Sequence, residues 1–292
     1  HDNTTEYVIL GCNKWIEIAT TGLTKPVTDV CPVNGVVYFA QGEGTAIRRY
    51  RAYNNSGTWT NQFDADGTNK ASLLRFIREA NGNKKVWRSL NSEAKVSSAG
   101  AQAWGSNLTF GTAIECGDTT VPITGIAVYG NPEIPYILKE NEFGSIASGV
   151  YAPIPMDEIR SVRSDKNGKS FLRHDVYLYF SLLDGVERYY NNHLDDIGPN
   201  RDEGMPLERS GNIARMVGYA GRFYVALDGG DDGYSSVLSY NQLGWHEIYR
   251  TAFGRRIRSL FIQPIPGKTV DRLWVSEEDD IIWLPIAVNP TK

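Results

Sequence analysis

A short segment recurs six times along this chain, and that repetition limits the possible folds more than any other feature. The copies read VTDVCP, SLLRFI, ITGIAV, IRSVRS, IARMVG and IRSLFI. Each segment opens on two apolar residues three apart: Val27 and Val30, Ala71 and Leu74, Ile123 and Ile126, Ile159 and Val162, Ile213 and Met216, Ile257 and Leu260. Their mean spacing is about 46 residues, close to the length of a four-stranded blade repeated around an axis. The rest of each repeat reads as strands. VVYFAQG, DVYLYFS, RFYVALD and DRLWVSE follow turn formers and mix β-branched with aromatic residues, the composition of a pleated, largely buried strand. Third strands (AIRRYRA, GVERYYN, SSVLSYN, DIIWLPI) come after links rich in Gly and acidic residues, and fourth strands are expected in GTWTNQF (57–63), in the stretch 104–114 and in GWHEIYR (244–250).

These patterns predict an all-β, six-bladed β-propeller, one domain over 1–292, with blades near 22–63, 70–116, 120–156, 157–207, 211–251 and 255–286. The last repeat runs out of chain: after DIIWLPI only AVNPTK remains. NKWIEIAT (13–20) shares a Trp-x-Glu-Ile core with GWHEIYRT (244–251), so the N-terminal strand within 7–20 is expected to complete the last blade and close the ring. No interval is long enough to hide a seventh blade. The one segment with helical periodicity, ASLLRFIREAN (71–81), is assigned to a strand by its place in the repeat. The first residue is His and the end, NPTK, reads as a linker, which suggests a domain excised from a longer chain.

Chemistry is less legible than architecture. A net charge of −4 and a pI near 5.7 argue against a nucleic-acid scaffold. No run approaches eighteen apolar residues, so no membrane span is expected. G-x-S-x-G, H-E-x-x-H, P-loop and dinucleotide patterns are absent, and His1, His174, His193 and His246 are scattered. A glycosidase pair such as Glu17 with Asp29 is compatible with composition alone. Cys12, Cys31 and Cys116 read as buried small residues, with a Cys12–Cys31 bridge left open. The sequons at Asn3, Asn54 and Asn107 read as chance matches. Arg48, Arg49 and Arg51, and Arg255, Arg256 and Arg258, could bind phosphate or an acidic surface, against the plainer reading of solvated strand faces.

Two clusters are candidate sites. Opening strands of blades line a central channel, so Asp29, Arg75, Arg160, Arg215 and Arg258 could face the axis and hold an anion, or simply pair with one another. Glu43, Asp184, Asp231, Asp232 and Asp279 fall between second and third strands and should gather on one rim. Among them the DGGDDG turn offers Asp228, Asp231 and Asp232 as oxygen ligands for Ca²⁺, against the plainer reading of a hairpin turn. No other cofactor is expected. Tyr189, Tyr190, Tyr234 and Tyr240 could anchor a partner or pack within the blades.

In architecture the chain resembles WD40-like propellers, without their Trp-Asp dipeptide. It has a single Gly-x-Trp turn, Asn54-Asn55-Ser56-Gly57-Thr58-Trp59, in place of the repeated Asp-containing turn of propeller sialidases. The stretch from Gly244 to Ile286 and the run around Ile114-Glu-Cys-Gly and Pro122-Ile-Thr-Gly-Ile look like propeller segments of tailed-phage and environmental viral virion proteins. That resemblance implies a non-enzymatic binding or structural module in a virion or extracellular setting. Its rim loops would contact other protein subunits or a receptor or glycan. The alternative is a propeller-fold carbohydrate-active enzyme, a glycosidase or lyase, with carboxylates at the channel mouth.

Overall fold

In a computed structural model the protein is described over residues 6–9, 15–18, 23–56, 58–90, 93–156, 164, 167–182, 185–197, 212–219, 221–229, 232–241, 244–263, 270–278 and 280–287. It is an all-β, six-bladed β-propeller, with no α-helix among the described residues. The chain divides into two compact units, His1–Ile137 with Gly144–Pro153, and Leu138–Phe143 with Ile154–Lys292.

The first unit opens with a hairpin of β1 (Glu6–Ile9) and β2 (Trp15–Ile18). A sheet of β3 (Asp29–Val33), β4 (Val36–Ala40), β5 (Gly42–Asn55) and β6 (Thr58–Ala71) follows in chain order. Asn34 and Gly35, with φ of 51° and 75°, make the tight β3–β4 turn, where both central residues need positive φ. The next sheet holds β7 (Leu73–Arg78), β8 (Lys84–Leu90), β9 (Lys95–Gly100) and β10 (Ile114–Glu115). The third is β11 (Ile123–Tyr129), β12 (Ile134–Lys139), β13 (Phe143–Ala147) and β14 (Val150–Ile154). Pro153 lies on the edge strand β14, the position in a sheet where proline is tolerated.

The second unit carries three further sheets. They are β15 (Phe171–His174), β16 (Tyr177–Ser181), β17 (Val186–Tyr190) and β18 (His193–Asp196); β19 (Asn212–Tyr219), β20 (Arg222–Asp228), β21 (Ser236–Asn241) and β22 (Gly244–Arg250); and β23 (Ile257–Gln263), β24 (Val270–Glu277) and β25 (Asp280–Ala287). All described pairings in these sheets are antiparallel.

Within each unit, neighbouring sheets pack against one another through buried side chains. Tyr38, Ile47, Leu74 and Val86 fill the space between the first two sheets, and Ile77, Val96, Ile126 and Ile137 that between the next two. In the second unit Phe223 and Met216 pack with Tyr179 and Val186, while Ala226 and Val237 pack with Leu260 and Leu273. Each such fully buried large side chain contributes on the order of 1.5–3 kcal/mol. Polar links tie the same neighbours together. The Leu74 N–H donates to Asp29 Oδ2 at 2.8 Å across the first pair of sheets. The Met216 N–H donates to Ser170 Oγ at 2.9 Å across the fourth and fifth.

The three-residue spacing of the repeated apolar pairs has a structural cause. On a regular strand residues three apart face opposite sides. In β19 the register shifts between Ile213 and Arg215, and in β23 between Ile257 and Ser259. Each bulge adds one residue and turns both members of the pair inward: Ile213 and Met216, Ile257 and Leu260 are all buried. The first repeat follows a different phase. There Val30 is 45% exposed, and Cys31 and Val33 point inward.

The ladders bear on other sequence expectations. Residues 159 and 162 of the fourth repeat lie outside the described residues, and the described opening strand of that sheet is Phe171–His174, joined to β16 by a two-residue turn. The fourth strand of the second sheet is the short β10, while 101–113 runs as turns and coil. The described ladder of Trp15–Ile18 is with Glu6–Ile9, and the sixth sheet has three strands among the described residues. A link of five residues between β1 and β2 suits this local hairpin.

Candidate functional site

The proposed axial residues separate into local pairs. Asp29 and Arg75, with side chains 14% and 18% exposed, form an ion pair on β3 and β7, and Asp29 Oδ1 also accepts the Val30 N–H at 2.9 Å. Arg258 on β23 reaches Asp228 Oδ2 at 3.7 Å and Glu278 at 4.0 Å. Arg215 is exposed on β19, and Arg160 lies outside the described residues. In the described pairs, therefore, the guanidinium groups meet carboxylates of the same or the adjacent sheet.

The acidic turns are similarly engaged. Asp228 meets Arg256 at 3.5 Å as well as Arg258, and Asp232 meets Arg250 at 3.8 Å and accepts the Tyr234 N–H at 3.1 Å. Arginines thus neighbour the carboxylates of both Asp228 and Asp232. Among the described residues no three His, Cys, Asp or Glu side chains gather as metal ligands. Asp184, Asp231 and Asp279 lie outside the described residues. Close by, Arg255 bridges Glu277 at 3.0 Å and Asp280 at 2.8 Å. The Tyr249 hydroxyl donates to Glu277, and its pKa is pushed up to about 12 by burial and by that carboxylate.

Arg49 departs from the solvated face expected of it. It is 4% exposed, donates to Ser106 O at 2.6 Å, pairs with Asp64 at 3.1 Å and stacks its guanidinium 5.2 Å from the Trp104 ring. Arg51 shares that ring at 4.9 Å, so the two arginines do lie on one face, covered by the 101–113 segment. The Arg49 hydrogen bond holds the Asp64 carboxyl below its usual range, while burial raises that of Asp66. Among the tyrosine anchors, Tyr189 is buried, Tyr190 is 42% exposed, and Tyr234 and Tyr240 are half-buried. Cys31 and Cys116 are buried free thiols, so Cys31 is not bridged.

Sequence reading missed a broad concavity in the first unit. It has a volume of about 590 Å³ and is bounded by the β7–β8 turn, by residues 132–135 entering β12 and by the β13–β14 turn. Clefts of roughly 300–1,000 Å³ are the usual size for ligand sites. Its walls are Ile77, Ile114, Ile134 and Ile146 with Pro132 and Pro135, and Trp87 lies among them. At the lip Lys85 pairs with Glu79 at 2.7 Å, and Glu133 Oε2 accepts the Arg78 N–H at 3.0 Å. Trp87 is 6% exposed, and its indole N–H has no hydrogen-bond partner. KKVWRSLN was legible as a strand, but which of its residues would border a cleft depends on how two sheets meet.

Sheet count, strand order and packing place the chain in the class of β-propellers. No family model matches it, and no curated protein matches it in sequence. Solved structures do match in fold. A chain of the mitotic checkpoint complex aligns at 11% identity with a TM-score of 0.64, covering 97% of this chain and 84% of its own. The extracellular domain of a "putative hybrid two component system" from B. thetaiotaomicron aligns at 12% identity and TM-score 0.56, covering 86% of this chain, which spans 32% of that one. A "putative 6-phosphogluconolactonase" from Bacteroides fragilis aligns at 11% identity and TM-score 0.53, over 94% and 87% of the two chains. At these identities the likeness concerns the fold, which hosts binding modules and enzymes alike. No helix of the described residues is long and apolar enough to cross a membrane.

Proposed function

We propose that this propeller is a non-enzymatic binding module whose ligand seats in the cleft of the first unit. The cleft itself carries the reading: about 590 Å³ of space with an apolar wall and a charged lip. The described axial and rim charges, by contrast, are engaged with one another. An extracellular or virion-surface role, with contacts to other subunits or to a receptor or glycan, extends this proposal. The virion setting rests on the sequence resemblance, and the extracellular one is in keeping with a structural neighbour that is itself an extracellular domain.

The test uses the full chain on a glycan array and on a peptide array, beside a variant in which Ala147, exposed at the mouth, is replaced by Trp. Ligands retained by the wild type and lost by Ala147→Trp, at unchanged melting temperature, support the reading. Hits equally strong with the filled cleft, or turnover of an arrayed glycan, overturn it.

A further inference from the structure

We infer that a second cleft of the first unit, where the ends of β5 and β6 meet the end of β8, binds a small zwitterion of the amino-acid class, carrying one carboxylate and one ammonium. This site is separate from the apolar-walled cleft and stands or falls without it. It has a volume of about 400 Å³ and is lined by Glu43, Thr68, Asn69, Lys70, Arg88 and Glu93, with Leu90 as an apolar member. Successive residues of a strand face opposite sides. Trp87 therefore borders the apolar-walled cleft, and Arg88, next to it on β8, turns toward the first sheet.

Arg88 carries the argument. Its Nε donates to the hydroxyl of Ser97, its cross-strand partner on β9, at 3.0 Å, and its Nη1 donates to Lys70 O at 3.0 Å. The guanidinium also lies 4.0 Å from the centre of the Phe110 ring. It is thus half-buried and held in place before any ligand arrives, which lowers the ordering cost of binding. Arg49, Arg75, Arg188 and Arg250 each meet a carboxylate. Arg88 meets none among the described residues, although two of its donors are spent on neutral oxygens. Burial lowers its pKa, and the Glu93 charge acts against that shift. Glu93 is felt without touching, so opposite charges face each other across a gap that a ligand with both signs can bridge.

The remaining lining selects the ligand class. Lys70 is exposed with no bonded partner for its ammonium among the described residues, and Glu43 adds a second carboxylate. The four charges cancel. A simple anion would meet Glu43 and Glu93, and a simple cation would meet Lys70 and Arg88. A zwitterion satisfies both sets, and a carboxylate on a guanidinium fork makes stronger hydrogen bonds than a neutral acceptor. A sugar ring gains most from an open aromatic face, and Arg88 covers that of Phe110.

The experiment follows the backbone amides of Thr68, Asn69, Lys70 and Leu90 in the ¹⁵N-labelled full chain. The probes are glycine, 4-aminobutyrate and 6-aminohexanoate, which differ in charge separation. Acetate with methylamine, butyrate with butylamine and hexanoate with hexylamine are the singly charged controls. The expected result is a saturable shift of these amides with at least one zwitterion, and at least about tenfold weaker binding of its two controls, the size of one lost charge-assisted contact. Lys70→Gln and Glu93→Gln, both exposed changes, should each weaken binding about tenfold at an unchanged melting temperature, while Ala147→Trp leaves it intact. Amides that no zwitterion moves, controls that bind as tightly, or affinity indifferent to both Lys70→Gln and Glu93→Gln overturn the inference. Array ligands lost on Ala147→Trp would still support the binding-module reading in that event.

Discussion

Replacing Asp29 tests how neighbouring blades are held together. In Asp29→Ala the Leu74 N–H, on a residue with no exposure, loses its acceptor, and Arg75 loses its ion-pair partner. An orphaned buried donor costs about 1–3 kcal/mol. Breaking a fully buried ion pair costs roughly 3–5 kcal/mol, but at 14% and 18% exposure water recovers much of this, leaving about 1–2 kcal/mol. The expected total is about 3 kcal/mol. Asp29→Asn keeps an oxygen for Leu74 and should cost about half as much. At about 2–3 °C per kcal/mol for a chain of this size, Asp29→Ala melts roughly 6–9 °C lower. Urea denaturation of both variants, of Arg75→Ala and of the double variants gives the coupling directly. If Asp29→Ala lies within 1 kcal/mol of the wild type, or Asp29→Asn is as costly, the link between the sheets has been misjudged.

Three further outcomes are expected. Deleting residues 1–20 should abolish cooperative melting if the N-terminal segment closes the ring; a truncated chain that melts like the parent rejects closure. Cys31, whose thiol is pushed up to about 12 by burial and by the Asp29 charge, should resist iodoacetamide at pH 8 in the native protein. It should react after unfolding, and native-state labelling of the Cys31 peptide by mass spectrometry would contradict its burial. Burial raises the Asp195 carboxyl, but the Arg188 hydrogen bond and charge outweigh it and hold the pKa below 3.8. A depressed folded-state value means the stabilisation is present above about pH 4 and fades as pH falls through the lowered pKa. Asp195→Asn should therefore cost about 1 kcal/mol at pH 7 and little near pH 2; a penalty independent of pH would refute the pairing.

The propeller was legible because strand and turn chemistry are local. VVYFAQG, RFYVALD and DRLWVSE fall on β4, β20 and β24, and their alternation with turn residues survives folding unchanged. Pairing partners were harder to read. FLRH is too short to announce itself as the opening strand of the fourth sheet, and Val30 matched the repeat by spacing while facing solvent. Arg49 looked like a surface residue because nothing local shows that residues 101–113 fold over it. The cleft was invisible for the same reason. It is bounded by three separate turns, and the unsatisfied N–H of Trp87 exists only once its surroundings are packed.

The extra residue in β19 and β23 has a bearing on engineering. A kinked strand cannot slide along its neighbour by one position without moving the kink out of place, so each of these two strands carries its own alignment mark. A module cut from one position and spliced into another would have to bring that mark along. Shortening β19 by Ala214 alone would leave Ile213 and Met216 two apart, the spacing at which a regular strand turns both to the interior, while erasing the kink that marks the alignment.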